Sequence, residues 1–310
     1  VQGEQGGAFP NIQSFKLNGW KPVILGAAAA AGSEKDTGVN ETDNTLKCGK
    51  RLVNQQELIK GGELTKEGEW PWHAAIFHKE GSDSFAYKCG GTLLNTNTVL
   101  TAAHCVVERE QFVISERVVV KLGLHHRFIA GSGNHAQEFQ VFKIISHENF
   151  NFTYLYNDIA ILKLSTEATY TNYVQPVCLW PESDTDISTL IGKPGDVIGW
   201  GFYDRENNLS DYLGYGTMPI ASAYTCLQSN RGFFGNFVSD RSFCAGYRNG
   251  TSVCNGDSGG GMFFEQNGTY LQRGIVSVSV SLKNEQLCNP YEYVIFTDVA
   301  QYLDWIKPKL

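Results

Sequence analysis

Short apolar runs separated by turn residues fill the chain from Cys48 to the C-terminus. They have the length and the β-branched content of buried strands, and the clearest are residues 92–94, 118–122, 159–164, 196–201 and 274–280. The 33 glycines, 14 tyrosines and 18 phenylalanines favour the same structure, because glycine supplies turns and aromatic residues favour strands. The pattern therefore predicts an all-β fold.

One segment at the C-terminus has the spacing of a helix instead. Val299, Leu303 and Ile306 fall on one helical face. Asp298 can cap the first turn, and Pro308 lies close to the end. We therefore predict a C-terminal helix after the last strand.

Residues 1 to about 47 differ from the rest in composition. They are rich first in glycine, then in alanine and then in polar residues, which predicts an extended or flexible arm without a core of its own. The longest apolar run in the chain, residues 23–31, has nine residues, whereas a membrane-spanning helix needs about 20. We expect no membrane anchor.

Composition sets the class of protein. With 310 residues, 42% of them hydrophobic and 18% charged, the chain can bury a large core, as one β domain or as two halves. Its formal net charge of −7 argues against a nucleic-acid partner, because such proteins usually present a basic face.

Cysteines and glycosylation motifs favour the secretory route. The eight cysteines are even in number, which suits disulfide bonding in an oxidising compartment, and no CxxC pair suggests zinc. The chain begins at Val1, as a processed product without its signal peptide would. We expect an extracellular protein, with N-glycosylation candidates at Asn40, Asn151, Asn208, Asn249 and Asn267.

Three local motifs carry candidate chemistry, centred on His104, Asp158 and Ser258. A serine hydroxyl that attacks a carbonyl needs a base to take its proton and a carboxylate to orient that base. Taken singly, His104 could be a core histidine beside a disulfide and Asp158 the cap of a strand. Together, in the order His, Asp, Ser, they predict a catalytic triad.

These motifs resemble the chymotrypsin/trypsin family of serine proteases, and the resemblance runs from about Cys48 to Leu310. It implies two perpendicular six-stranded antiparallel β-barrels with the triad in the cleft between them. The N–H groups of Gly256 and Ser258 would form the oxyanion hole. It implies no cofactor, and no metal, because the family's calcium-binding positions fall on Leu124 and Ala136.

The resemblance also implies one disulfide scheme among the roughly 100 that eight cysteines allow. A further bridge common in the family is absent, because its two positions hold Gly195 and Phe264. The expected bonds are Cys48–Cys178, Cys89–Cys105, Cys226–Cys244 and Cys254–Cys288.

Family members are made as precursors and activated by a cut before an Ile-Val-Gly-Gly motif, which residues 59–62 resemble here. The freed ammonium of Ile59 would pair with Asp257 beside the nucleophile. Residues 1–58 would then be a light chain tethered through Cys48, and residues 59–310 the protease domain. Leu58 precedes the cut where the family usually has Arg or Lys, so we expect an activator that prefers aliphatic residues. Cleavage after Arg51 or Lys60 is the alternative.

The specificity pocket implied by the resemblance is uncharged. Ser252 occupies the floor where trypsin-like members have aspartate, and Ser277, Ser279 and Val294 stand along the walls. For Val294, an alignment shifted by one residue is the alternative. A shallow pocket of this kind predicts cleavage after small or medium aliphatic residues. Because Leu58 is such a residue, we expect the enzyme to activate itself.

The resulting hypothesis is a secreted serine endopeptidase zymogen. The resemblance is strongest to invertebrate cascade proteases of the modular serine protease and gastrulation-defective types, which act in immunity, clotting or development. Its partners would be protein substrates, downstream zymogens among them, and serpin-type inhibitors. The alternatives are a catalytically silent, protease-like binding protein and a digestive or salivary protease.

Overall fold

The computed structural model of this chain describes residues 48–53, 63–81, 84–108, 111–127, 135–201, 209–250, 252–282 and 288–310. The arm of residues 1–47, the cleavage site at Leu58–Ile59 and the motifs at Asn40 and Asn208 lie outside these described residues. In chain order, the strands are β1 (Glu63–Leu64), β2 (His73–Glu80), β3 (Ser84–Asn95), β4 (Thr98–Thr101), β5 (Val107–Glu108), β6 (Gln111–Phe112), β7 (Val118–Leu122), β8 (Gln137–Ser146), β9 (Ala160–Leu164), β10 (Cys178–Leu179), β11 (Pro194–Gly199), β12 (Gly214–Ala221), β13 (Ser242–Ala245), β14 (Gly261–Gln266), β15 (Thr269–Ser279) and β16 (Val294–Asp298).

The strands form two closed antiparallel barrels of six strands each. The first barrel has the order β2-β3-β4-β9-β8-β7, and β7 pairs with β2 to close it. The second has the order β12-β11-β14-β15-β16-β13, and pairing of β12 with β13 closes it. Two short strands pair with this barrel in addition: β1 is antiparallel to β12, and β10 is parallel to β15. The all-β prediction and its two barrels are confirmed.

The buried strands coincide with the apolar runs of the sequence. Strand β7 and strand β9 are buried at every position except their lysines, Lys121 and Lys163. An aromatic cluster joins the barrels, because Trp72 of the first lies 5.7 Å from Phe263 of the second, measured between ring centroids. Trp70 stacks on the same phenylalanine at 6.1 Å. Packed aromatic rings therefore join the two barrels.

The helical segment at the C-terminus is present as predicted. A 3-10 turn (Val299–Tyr302) leads into helix α3 (Leu303–Ile306) and a second 3-10 turn (Lys307–Lys309). The side chain of Asp298 caps the first turn by accepting from the N–H of Ala300. Val299 and Ile306 are fully buried, which explains the apolar face.

Two further helices were not predicted from the sequence, α1 (Ala223–Ser229) and α2 (Arg231–Phe237). Each has seven residues, too few to show a helical period, and α2 contains two glycines, which weaken a helix. Tertiary contacts stabilise them instead, since Cys226 and Phe234 are fully buried. Ser222 and Asn230 cap their first turns.

Four disulfide bonds join the pairs that the family resemblance implies, Cys48–Cys178, Cys89–Cys105, Cys226–Cys244 and Cys254–Cys288. Gly195 and Phe264 face each other, because a Cβ built on Gly195 would lie 2.7 Å from the ring of Phe264. An aromatic ring therefore fills the space where family members have a fifth bridge.

The segment of residues 48–53 is docked on the second barrel. The Gly49 N–H donates to Pro176 O at 2.8 Å, and the Gly49 C=O accepts from the N–H of Tyr270 at 2.9 Å. The Arg51 guanidinium lies 3.7 Å above the ring of Trp70 and 4.1 Å from that of Tyr270. Only 12% of the Arg51 side chain is exposed. Cation–π contacts thus add to the Cys48–Cys178 bond.

A buried ion pair supports the second barrel and gives a first prediction. Arg273 is fully buried and binds Asp298 with two hydrogen bonds of 2.7 and 3.1 Å. Arg273→Met is expected to lower the free energy of unfolding by about 3–5 kcal/mol, because it leaves a buried carboxylate unpaired. Urea unfolding measures this, with the exposed Arg231→Met as the control. An equal, small loss in both variants would contradict the role assigned to the pair.

Candidate active site

His104 lies in a short 3-10 turn (Ala103–Val106) that directly follows strand β4. The disulfide from Cys105 to Cys89 ties this turn to strand β3. His104 is bonded twice to Asp158: its backbone N–H donates to Oδ1 at 2.9 Å, and its ring Nδ1 lies 2.8 Å from Oδ2. With Nδ1 donating, Nε2 is left without a proton, which is the tautomer that a general base needs.

Asp158 is fully buried and lies two residues before the first residue of strand β9, Ala160. Besides His104, its carboxylate accepts from the hydroxyl of Ser277, at 2.6 Å from Oδ2. Its backbone C=O accepts from the hydroxyl of Thr297 at 2.9 Å. Strand β15 of the second barrel therefore holds the carboxylate of Asp158, and strand β16 holds its backbone.

The charges of this pair stabilise each other. Burial alone would lower the pKa of His104, but the charge of Asp158 and its hydrogen bond outweigh burial and raise that pKa. Burial would likewise raise the pKa of Asp158, and His104 with Ser277 lowers it instead. Asp158 is therefore ionised at neutral pH, and it favours the imidazolium that forms when His104 accepts a proton.

Ser258 stands on a turn between the two barrels. Its C=O accepts from the N–H of Gly90 in β3 at 2.8 Å, and the following N–H, of Gly259, donates to Val276 O in β15 at 2.9 Å. Within the described residues, no hydrogen bond joins the hydroxyl of Ser258 to Nε2 of His104. Such bonds are often long in the resting state and shorten when substrate binds.

The turn leaves two N–H groups open. Inside it, the N–H groups of Asp257, Gly259 and Gly260 donate to backbone carbonyls at 2.9 Å each. Among the residues that the structure describes, none accepts from the N–H of Gly256 or Ser258. Gly256 has a φ of 97°, a conformation that residues with a Cβ rarely adopt. Two free donors on one turn can together bind a negatively charged oxygen.

Asp257, next to the nucleophile in the sequence, is buried. Its carboxylate accepts from the N–H of Gly201 and from that of Cys254, both at 2.8 Å. A Cβ on Gly201 would lie 2.0 Å from the carboxylate, so only glycine leaves room for it. Burial raises the pKa of Asp257 to about 6, partly offset by the two N–H groups. No cation in the described part of the chain forms a salt bridge with it.

The residues expected to form the specificity pocket lie on three segments of the chain. Ser252 is half-buried and bonds the C=O of Val253 at 3.1 Å. Ser279 of β15 is paired directly with Val294 of β16. Val294 is 1% exposed, and it packs in the same apolar cluster as Val253. Val294 is thus a buried member of this cluster, and none of the four residues expected in the pocket carries a charge.

One cluster of potential metal ligands lies among the described residues, formed by Cys89, His104 and Cys105. The two cysteines are joined to each other by a disulfide, so neither offers a thiolate. No described helix has the length and apolar character needed to cross a membrane. The sequon residues Asn151, Asn249 and Asn267 are all exposed.

Three contacts at the site were missed by the sequence analysis. It placed Ser277 on the pocket wall but not on Asp158, and it overlooked Thr297. It also overlooked Tyr87, whose hydroxyl donates to Gly256 O at 2.6 Å. Each contact joins residues more than 100 positions apart. No local motif marks such a pair, and only the packing of the two barrels brings them together.

Residues 59–306 match the model of the trypsin family, so the chain belongs to this family and is a serine endopeptidase. It is 32% identical over 257 residues to venom protease of Bombus pensylvanicus, covering 81% of this chain and 99% of that protein. Identity to clotting factor C of Tachypleus tridentatus is 30% over 266 residues, 84% of this chain but 26% of the relative. Serine protease gd of Drosophila melanogaster is 31% identical over 273 residues, which cover 77% of this chain and 50% of that protein.

Proposed function

We propose that the chain is a secreted precursor, activated by cleavage between Leu58 and Ile59, that cuts proteins after small or medium aliphatic residues. The observation that carries this proposal is the buried carboxylate of Asp257, for which the described residues offer no cation. Burying an unpaired charge is costly, so such a carboxylate needs a partner. The ammonium of Ile59, once freed, would supply it.

The roles of the site residues follow from this geometry. Ser258 would attack the substrate carbonyl, and His104, oriented by Asp158, would take its proton and then pass it to the leaving amine. The N–H groups of Gly256 and Ser258 would stabilise the tetrahedral oxygen. Ser277 would hold the carboxylate of Asp158 in place through its 2.6 Å hydrogen bond.

The packing of Arg51 argues against cleavage at that residue. A trypsin-like activator must draw the basic side chain into its own pocket, but Arg51 is stacked on Trp70 and Tyr270. Its side chain is also 3.9 Å from Glu69 and largely buried. Of the cuts considered, those after Leu58 and Lys60 remain, and only the first creates a terminus at Ile59. After that cut, the Cys48–Cys178 bond would retain residues 1–58 as a light chain.

An uncharged, shortened pocket supports the substrate preference. Ser252 provides no charge to select lysine or arginine, and Val294, paired with Ser279, would restrict the depth of the pocket. Leucine, valine and alanine are the residues that fit such a site. Leu58 itself belongs to this class, which supports self-activation.

The relatives support a place in a proteolytic cascade. One is named clotting factor C, and another is serine protease gd. We infer that the protein substrates of this chain include downstream zymogens, and that serpin-type inhibitors regulate it. The four disulfides and the exposed Asn151, Asn249 and Asn267 support secretion and N-glycosylation, because both suit the extracellular route.

Incubation of the purified precursor alone tests self-activation. We expect the wild-type chain to be cut after Leu58, and Ser258→Ala to stay intact under the same conditions. Adding a trace of the cleaved wild-type enzyme should then cut the Ser258→Ala chain at the same bond. A wild-type chain that stays whole, or a Ser258→Ala chain cut equally fast alone, would show that a different protease is the activator.

The pocket gives a second prediction. Val294→Gly is expected to raise kcat/KM for phenylalanine before the scissile bond, relative to leucine, by about 10-fold or more, because it opens space between the strands. A peptide library assayed with the cleaved enzyme measures the change. Val141→Gly, a buried strand valine of the first barrel, serves as the matched control. Unchanged preference in Val294→Gly would mean that this residue does not limit the pocket.

Asp257 gives a third prediction, on stability and pH. Burial raises its pKa to about 6 in the folded chain, from 3.8 in the unfolded chain. The folded precursor therefore loses stability as pH rises from about 4 to about 6, by roughly 3 kcal/mol in total. Urea unfolding of the uncleaved chain should show this loss relative to Asp257→Asn, both in the Ser258→Ala background. Parallel pH profiles for the two proteins would contradict it.

A further inference from the structure

Tyr87 of strand β3 reaches from the first barrel to the turn that carries the nucleophile. Its hydroxyl donates to the C=O of Gly256 at 2.6 Å. Its ring is packed edge-to-face against Phe77, at 5.6 Å, and against Trp200, at 5.5 Å. The hydroxyl is therefore held in one position by the rings around it.

The hydrogen bond acts on the peptide group that links Gly256 to Asp257. The oxygen of this peptide accepts from Tyr87, and its N–H donates to Cys254 O at 2.9 Å. The peptide lies between the two open N–H groups, those of Gly256 and Ser258. Because both its C=O and its N–H are hydrogen-bonded, this peptide group cannot rotate freely. This restraint fixes how the N–H groups of Gly256 and Ser258 are oriented relative to each other.

The contacts that hold this turn are made by side-chain and backbone groups of the described residues. The turn is held by the hydroxyl of Tyr87 and, on the carboxylate of Asp257, by the N–H groups of Gly201 and Cys254. Within the described residues, no ammonium or guanidinium takes part. The open arrangement of the Gly256 and Ser258 donors is thus compatible with a precursor that has not been cut.

We propose that Tyr87 is a positioning residue that holds the oxyanion turn, residues 254–258, in its working shape before cleavage, so that the precursor has peptidase activity of its own. The inference rests on the proposed role of the Gly256 and Ser258 N–H groups as oxyanion donors. It supplies the initial activity that self-activation requires. Burial, together with the charge of Asp257, raises the pKa of the Tyr87 phenol well above 10, so the donor stays protonated over the working range.

The test uses an uncleavable precursor, Leu58→Pro, with and without Tyr87→Phe. Each is assayed on a chromogenic peptide amide with leucine before the scissile bond, and gels confirm that the chain stays whole. We expect turnover by the Leu58→Pro precursor, and a kcat lower by about 10-fold or more in the Tyr87→Phe form, with KM little changed. In the cleaved enzyme, Tyr87→Phe should cost less, because the Ile59 ammonium adds a second support.

A second measurement separates positioning from simple packing. A peptide aldehyde forms a tetrahedral adduct with the serine, and its oxygen would occupy the oxyanion hole. In Tyr87→Phe, the affinity for the aldehyde should fall in parallel with kcat, while the affinity for the product peptide stays the same. Tyr270→Phe is the control, because this buried tyrosine bonds Glu265 at 3.3 Å and lies beside the segment of residues 48–53, where its N–H donates to Gly49 O.

The possible results distinguish the role of Tyr87 from the proposed function. Equal kcat and aldehyde affinity with and without the hydroxyl would overturn the role of Tyr87, as would an equal loss in Tyr270→Phe. A Leu58→Pro precursor without turnover, beside a fully active cleaved enzyme, would overturn the inference and leave the proposed function intact. A cleaved wild-type enzyme without activity would overturn both.

Discussion

Replacing Ser258 by alanine is expected to lower kcat of the cleaved enzyme by about a millionfold. The substitution removes the only atom that can form the acyl intermediate, while the rest of the turn keeps its bonds. Those bonds are made by the backbone, from Gly90 N–H to Ser258 O and from Gly259 N–H to Val276 O. KM and the unfolding temperature should therefore change little.

The control for this prediction is Ser281→Ala, an exposed serine beyond the end of β15, which should keep full activity. Hydrolysis of a peptide amide measures kcat, and a fluorophosphonate probe followed by mass mapping of the labelled peptide shows which residue reacts. Retention of more than a small fraction of the activity in Ser258→Ala would mean that the nucleophile is another residue.

Replacing Asp158 by asparagine is the second large effect, an expected drop in kcat of about 10⁴-fold. An amide would turn its NH2 group toward Nδ1 of His104, and the ring would then carry its proton on Nε2. In that tautomer, Nε2 cannot accept the proton of Ser258. The amide also offers no charge to stabilise the imidazolium.

The pH profile distinguishes this cause from a folding defect. Asp158 raises the pKa of His104 against the effect of burial, so the wild-type enzyme should lose activity as pH falls through a value above the 6.5 of a free histidine. With the charge removed, burial remains, and the residual activity of Asp158→Asn should persist to lower pH. Asp196→Asn, a carboxylate whose pKa burial also raises, serves as the control. An acid limb at the same pH in wild type and Asp158→Asn would contradict this account of the pair.

The local parts of the fold could be read from the sequence because their signals are local. The runs at 118–122 and 159–164 became strands β7 and β9, and Asp298 caps the helical segment as expected. The short helices α1 and α2 were not predicted because seven residues are too few to show a helical period. Burial of Cys226 in α1 and of Phe234 in α2 stabilises them instead.

The residues of the site that lie in recognisable sequence motifs could be predicted. His104, Asp158 and Ser258 stand in marked contexts, and a family resemblance gave the pairing of cysteines that composition leaves open. The contacts from Ser277 to Asp158 and from Tyr87 to Gly256 had no such mark, because each joins a strand residue to a loop residue more than 100 positions away in the sequence. Serine and tyrosine have many roles in a β protein, and only the packed structure shows which atoms they face.

The proposed activation can be checked by determining the N-terminal sequence of the heavy chain of the active enzyme. We expect this heavy chain to begin at Ile59, with the sequence Ile-Lys-Gly-Gly, because that terminus would supply the ammonium that pairs with Asp257. An active enzyme whose heavy chain begins at Leu52 or Gly61, or whose chain is uncut at full activity, would contradict it.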